Sequence, residues 1–472
     1  MTTLPADLIA RLQEVLGPKG WSMADDVLAR HNAEARHKFS GAASLILFPA
    51  STDEVARCAA LCHQAGVALV PQGGNTGRCG GAVAGENAIL INLARMNAVI
   101  IDDLDFSATV EAGCLLQNLQ DAAVRHDLLF PLALGAQGSC QIGGNLATNA
   151  GGLNVIRYGT MRDLVLGLEV VLADGTIWNG LSKLRKDNTG YDLRHLFVGA
   201  EGTLGIITRA TLKLFPRPRH IATAWCAVND PQAALDLLAR ARRDSGDTIA
   251  AFELISRFAH DLCIAHLPGC TAPLAQTSDW YVMIELSSSR PVDDLTALLE
   301  TLLNDAMTDG TVQDAVLAQS ETQRAHLWAI REGIPVAQTL EGGSIKHDVS
   351  VPVSAIPALI ERGIAAAHML IPGIRPCPFG HVGDGNIHFN FSQPPGMTKP
   401  DFLARWDDLN RAIHDIVVDL GGSISAEHGI GLLKVDELAH YADPAKLKLL
   451  HAIKAAIDPE NRMNPGKIIR NP

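Results

Sequence analysis

Two short stretches of this chain gather the residue types that bind metals and move protons. Gly380-His381-Val382-Gly383-Asp384-Gly385-Asn386-Ile387-His388 sets two histidines, an aspartate and an asparagine among three glycines. Some forty residues on, Ser425-Ala426-Glu427-His428-Gly429 places a carboxylate beside a third histidine. Imidazole and carboxylate are the donors that divalent transition metals take. His381, His388 and Glu427 therefore make a candidate His₂–carboxylate ligand set. It suits Zn²⁺, with Mn²⁺ or Fe²⁺ as alternatives, and it leaves coordination positions open for a substrate. His428 is then spare to act as a base near neutral pH. Asp384 reads as a turn residue rather than a ligand. Arg331 on a long predicted helix and Lys346 in Ile345-Lys346-His347-Asp348 are cations that a substrate carboxylate could take, the arginine by a bidentate fork. From spacing alone each is a solvated charge.

Something must hold these groups near a reaction partner, and two glycine runs offer themselves. Pro71-Gln72-Gly73-Gly74-Asn75-Thr76-Gly77 follows the apolar segment Val67–Val70, which reads as a strand entering a turn. Gly138-Ser139-Cys140-Gln141-Ile142-Gly143-Gly144-Asn145-Leu146-Ala147-Thr148-Asn149-Ala150-Gly151-Gly152 carries no charged side chain. Glycine lets a backbone approach a ligand closely, and successive free N–H groups make anion-binding concavities. Two such turns suit the two sides of a pyrophosphate. Neither is the G-x-G-x-x-G fingerprint, and the chain has no G-x-x-x-x-G-K-[ST], so a Rossmann or P-loop site is not expected.

Composition narrows the class. The formal net charge of −12 argues against a nucleic-acid partner. With 47% hydrophobic and 19% charged residues over 472 positions, the chain reads as globular, with about three domains as a prior. Nine cysteines without a paired C-x-x-C point to reduced thiols, Cys58 and Cys62 being packing residues of a helix. The first residues show no basic-then-apolar leader, and no run of about 18 apolar residues is seen. The expectation is a cytoplasmic protein, or one of an equivalent reducing compartment, without an integral membrane segment.

The elements follow in order. Ser51-x-x-Glu54 predicts a capping box opening a helix to about Gln64. Strands are expected at 88–93, 98–101, 108–111, 164–172 and 176–178, with Ala173-Asp174-Gly175 as a hairpin turn. Pro216 and Pro218 mark a boundary. Beyond it, strands at 222–228, 249–255, 280–286 and 312–318 alternate with helices at 231–243 and 293–307, which suits a split-βαβ sheet with helices on one face. A long helix is expected over 321–341, a strand–helix pair at 344–353 and 355–370, and helices over 399–420 and 443–457.

Taken together, the runs at 71–77, 143–152, Gly199–Gly205, 380–386 and 425–429 resemble the vanillyl-alcohol-oxidase-type FAD enzymes, in the branch with D-2-hydroxyglutarate and flavin-dependent D-lactate dehydrogenases. The resemblance spans about 40 to the C-terminus. It implies an α+β fold: a two-subdomain FAD domain of the p-cresol-methylhydroxylase type over about 1–217, a ferredoxin-like cap (substrate) domain over 218–420, and a segment over 421–472 that returns to the flavin. It implies FAD contacts from Pro71, Gly73, Gly74, Asn75, Thr76 and Gly77, and from Gly138, Ser139, Gly143, Gly144, Asn145, Thr148, Gly151 and Gly152. Further contacts would come from Glu201, Gly202, Ile207 and Asn464. Asn75 stands in a turn that often carries a flavin-linking histidine, so non-covalent FAD is expected, with Cys140 the remaining candidate for a link. By the same match His381, His388 and Glu427 hold the metal, His428 takes the proton of the C2 hydroxyl, Arg331 and Lys346 hold carboxylate, and Asn386 orients substrate. Two residues depart from the hydroxyglutarate pattern: Pro335 replaces a hydroxyl residue, and Arg78 replaces an aliphatic one and is a candidate for a second carboxylate. The implied reaction is FAD- and metal-dependent oxidation of a D-2-hydroxy acid, first D-2-hydroxyglutarate, then D-lactate. A glycolate- or sugar-oxidising relative using O₂, and a non-catalytic flavin-binding subunit, are the competing readings. Electron-transfer flavoprotein is the implied acceptor, a quinone the second, and a homodimer the implied assembly.

Overall fold

The computed structural model describes residues 4–34 and 38–470, which form two units. The first unit takes residues 1–152, 159–217 and 427–472; the second takes 153–158 and 218–426. The six residues Leu153–Tyr158 thus leave the first unit, and Arg157 Nη1 donates to the Thr248 and Ser287 carbonyls of the second.

The first unit opens with helix Ala6–Leu16, which buries Leu8, Leu12 and Leu16, one residue per turn on one face. They pack with Val55, Cys58 and Cys62 of helix Thr52–Gln64. Burial pushes the Cys58 thiol up to about 12, as fits a packing residue. Ser51 Oγ accepts from Glu54 N at 3.2 Å, but the Glu54 carboxylate reaches past Ser51 to Ala50 N at 2.7 Å, so the expected box is closed one residue early. These helices back a four-stranded sheet ordered Trp21–Ser22, Ile46–Leu47, Ala88–Asn92, Ala68–Gln72, its last three strands parallel. A five-stranded antiparallel sheet follows, ordered Val99–Asp102, Ser107–Glu111, Ile206–Lys213, Val165–Val171, Ile177–Gly180. The 173–175 hairpin is present, with Gly175 at φ 88°. The C-terminal segment adds to the first sheet: Leu69 N donates to Arg462 O at 2.9 Å and Asn464 N to Leu69 O at 2.8 Å.

The second unit is one antiparallel sheet, ordered Asp314–Leu317, His220–Val228, Trp280–Ser288, Ile249–Ser256, Arg375–Gly380, Asn386–Ser392, Ser344–Ile345, with Asp348–Ser350 also on Asn386–Ser392. Helices cover both of its faces, not one. Along His220–Val228, Ala224 and Cys226 join a core with helices Pro231–Asp244, Leu295–Thr308 and Ile356–Leu370. Trp225 and Ala227, pointing the other way, join a second core with helices Arg257–His266 and Glu321–Glu341. Strands buried on both faces lose the apolar–polar alternation from which one-sidedness is read. The expected helix over 399–420 breaks at Ala404–Arg405 into Lys399–Leu403 and Trp406–Asp419, so that Phe402 and Leu409 reach the same core. Residues Val353–Leu370 are long and apolar enough to cross a membrane, a run the composition reading passed over, but Leu359, Ile360 and Ala367 pack into that core.

Candidate functional site

In the first unit the two glycine runs meet. Strand Ala68–Gln72 passes into the turn 73–77, with Asn75 in the left-handed region at φ 54°, which asparagine tolerates. Asn75 Nδ2 donates to Ala33 O at 2.6 Å. A Cβ on Gly74 would stand 2.0 Å from the Ser139 carbonyl oxygen, so only glycine allows this approach. The second run is not all turn, because Ile142–Ala147 is a short helix.

A pocket lies between the runs. Pro71, Gly73, Gly74, Asn75, Thr76 and Gly77 line it from one side, and Gly143, Gly144, Asn145 and Thr148 from the other. Glu201, Gly202 and Ile207 complete the wall, and His428 and the exposed Arg78 stand at the same pocket. Gly138, Ser139, Gly151, Gly152 and Asn464 do not line it. Gly152 shapes the turn: at φ 87°, its Cβ would meet Ala133 O at 2.1 Å. Asn464 clamps the backbone instead, Nδ2 donating to Gly81 O at 2.8 Å and Glu201 O at 2.7 Å. Glycine content alone does not separate residues that face a ligand from those that bend the chain toward it.

The pocket fits a dinucleotide on two counts. Gly144 has nothing within 4 Å of where a Cβ would sit, and its φ is not left-handed. Neither packing nor backbone geometry in this unit calls for glycine there, which leaves a ligand as the reason. Gln141 Oε1, in the same pocket, is buried without a hydrogen-bond partner among the described residues. It is an acceptor for a ring N–H or ribose hydroxyl, and unmet it would cost about 1–3 kcal/mol. Gln141 lay inside the run read from sequence, but nothing in its type marked it. Gly144→Ala separates the two demands. It should stabilise the apoprotein by roughly 0.5–1 kcal/mol through helix propensity, yet overpack the bound cofactor by about 1–3 kcal/mol. Apoprotein melting and an FAD titration check both signs.

Glu201 positions the base candidate. Burial raises its carboxyl above the usual carboxylate range, opposed by the N–H groups of Ile430 and Gly431, which donate to it at 2.7 and 2.8 Å. These bonds fix the chain two residues after His428. Glu427 Oε1 accepts from Gly152 N at 2.7 Å.

The second unit gathers the other chemistry. His381 follows strand Arg375–Gly380, and His388 and Asn386 belong to Asn386–Ser392; the two imidazoles stand 5.3 Å apart. Arg331 is buried, not a solvated charge. Its Nε donates to Glu253 Oε2 at 2.6 Å, and His381 Nδ1 lies 2.6 Å from Glu253 Oε1. Burial pushes the Glu253 carboxyl up, but Arg331 and His381 outweigh it and hold it at about 2. Asp348 plays a lesser version of this part, 3.8 Å from His388 Nδ1 and paired with it across the strands. Asn386 Nδ2 donates to Asp348 Oδ1 and Val349 O, both at 3.0 Å, while its buried Oδ1 accepts from no described residue. Lys346 Nζ donates to Pro335 O at 3.3 Å, and Pro335 sits inside helix Glu321–Glu341, exposed. Asp384 Oδ1 accepts from Asn386 N at 3.1 Å, a turn bond. Sequence reasoning missed Glu253, which stands in a hydrophobic strand outside every motif. Its one signal was a lone acid among apolar residues, Ala250-Ala251-Phe252-Glu253-Leu254-Ile255.

Comparison with known proteins bears on both units. The family model for FAD-linked oxidases, C-terminal domain, matches residues 217–468, and that for the FAD-binding domain matches 43–180. The mitochondrial D-2-hydroxyglutarate dehydrogenase of Arabidopsis thaliana is 36% identical over 477 residues, covering 99% of this chain and 82% of the relative. The chain belongs to the FAD-linked oxidases. Another relative of this FAD-linked oxidase, the mitochondrial D-2-hydroxyglutarate dehydrogenase of Danio rerio, is 38% identical over 453 residues, covering 94% of this chain and 82% of its own. A substrate-bound crystal structure of p-cresol methylhydroxylase superposes with a TM-score of 0.77 at 18% identity, over 98% of this chain and 96% of that one, which shows the fold. Its α+β architecture is thus of the p-cresol-methylhydroxylase type, and the enzyme is an FAD-dependent hydroxy-acid dehydrogenase. The cytoplasmic expectation is corrected, since these relatives are mitochondrial proteins. Reduced thiols describe a redox state that more than one compartment offers, so they name none.

Proposed function

We propose that this FAD-linked oxidase converts D-2-hydroxyglutarate to 2-oxoglutarate. The observation that carries the reading is the polar cluster of the second unit, in which Arg331, His381 and Asn386 are buried and His388 is partly so. A guanidinium, two imidazoles and an orphaned amide oxygen answer the carboxylate and the hydroxyl of a 2-hydroxy acid. FAD would be held by the glycine pocket, and when bound it accepts the two electrons and the C2 hydrogen as hydride at N5. Cys140 supports a non-covalent cofactor: burial raises its thiol, and Asn145 Nδ2 donates to its Sγ at 3.6 Å. His381, His388 and Glu427 would hold Zn²⁺ (or Mn²⁺ or Fe²⁺), which when bound lowers the pKa of the substrate hydroxyl. His428 takes the hydroxyl proton. Arg331 and Lys346 would hold carboxylate, Asn386 would orient the acid, and Arg78 is the candidate for a second carboxylate. Electron-transfer flavoprotein or a quinone would reoxidise the flavin.

D-Lactate is the second reading, favoured by Pro335, which removes a hydroxyl donor from the helix beside Lys346. Anaerobic bleaching of the oxidised-flavin band by a panel of D- and L-2-hydroxy acids tests both. D-2-Hydroxyglutarate should bleach the flavin fastest. Chelator treatment should abolish the reaction, and Zn²⁺ or Mn²⁺ should restore it. Bleaching by D-lactate alone moves the substrate; bleaching untouched by chelation removes the metal.

A further inference from the structure

Glu253, Arg331 and His381 form a closed ring of contacts. One carboxylate oxygen faces His381 Nδ1, the other accepts from Arg331 Nε, and Arg331 Nη2 lies 3.5 Å from His381 Nε2. Glu253 is 0% exposed, so neither bond competes with solvent. A neutral imidazole that donates from Nδ1 carries its lone pair on Nε2. That nitrogen is the one a metal ion takes, and here a guanidinium faces it. Metal-ligating histidines commonly give their other N–H to a carboxylate, which fixes ring and tautomer. This carboxylate does so while also gripping the cation that would bind substrate.

We propose that Glu253 is a positioning residue that couples metal binding to acid binding. It holds His381 as the Nδ1–H tautomer and Arg331 by Nε. Once His381 Nε2 is committed to an ion, Arg331 Nη2 loses its acceptor and its N–H turns to the substrate carboxylate. Before that, the same N–H occupies the ligand nitrogen. Metal therefore precedes acid, and each tightens the other by the same factor. The proposal rests on the reading of His381 as ligand and Arg331 as carboxylate donor.

The test uses the FAD-loaded protein dialysed against chelator and titrated with Zn²⁺ against a chromophoric zinc indicator, with and without 2-oxoglutarate. In the wild type the acid should tighten Zn²⁺ binding by about fivefold or more. Glu253→Gln should bind Zn²⁺ about 10–100-fold more weakly and lose the response to acid. Glu253→Asp, which keeps the charge, should recover part of both. His388→Ala serves as the ligand control. A wild type that takes up no Zn²⁺ overturns the ligand reading, and this proposal with it. Zn²⁺ bound by the wild type, lost in His388→Ala and unchanged in Glu253→Gln overturns the coupling alone. Should Glu253→Gln fail to retain flavin, imidazole ¹⁵N spectra of the wild type decide, because an Nε2–H tautomer at His381 overturns the proposal.

Discussion

Glu253→Ala will destabilise the second unit by about 3–5 kcal/mol, the cost of leaving a buried charge without its partner. The stranded group is Arg331, 5% exposed, whose Nε then has no acceptor. Burial alone would raise the Glu253 carboxyl, and its two partners instead hold it at about 2, below the ordinary 4.5. A depressed folded-state pKa fixes the sign. The stabilisation is fully present above the ordinary value and is lost as pH falls through about 2. Urea unfolding should therefore separate wild type from variant most widely at neutral pH and bring them together in strong acid. Glu253→Ala combined with Arg331→Met should regain much of the loss, because the double change removes both charges. A double variant as unstable as the single one would show that the pair is not what the single change breaks.

His428→Ala will slow anaerobic flavin reduction by about 10²–10⁴, the usual worth of a positioned base. FAD content should stay near that of the wild type, since the glycine runs supply most of the pocket wall. Wild-type bleaching rates in the variant would remove His428 from the reaction. Loss of flavin would make it a residue of the pocket rather than of the chemistry.

How far the sequence reaches is clearest at particular residues. The runs at 71–77 and 143–152 were legible because glycine without charge is unusual in a structured stretch, and most of their expected contacts line one pocket. Gly152 and Asn464 do not line that pocket but shape the chain beside it, because turn geometry and ligand contact draw on the same residue types. Arg331 read from spacing alone as a solvated charge, whereas it is buried. Its burial depends on Glu253, which stands 78 residues earlier and on another element. Helices on both faces of the second sheet were missed for a related reason: a strand buried on both sides reads the same whatever covers it. Pairings across long sequence separations leave no local period to detect.

The C-terminal segment has a consequence for how the protein is made. Leu69, in the first sheet, is bridged to Met463, and buried Lys454 donates to Thr203 O and Met463 O at 2.7 and 2.9 Å. Met463 follows Leu69 by nearly 400 residues, which on a ribosome adding roughly 5–20 residues per second is a delay of about 20–80 s. During that interval the edge at Leu69 is bare and His428 does not yet exist. The cofactor pocket is begun before the second unit and completed after it, so a nascent chain holds an unpaired strand edge while the second unit folds. Flavin can meet its complete site only once the C-terminal segment has been made, and chains stalled before it should be rich in exposed strand and poor in bound cofactor.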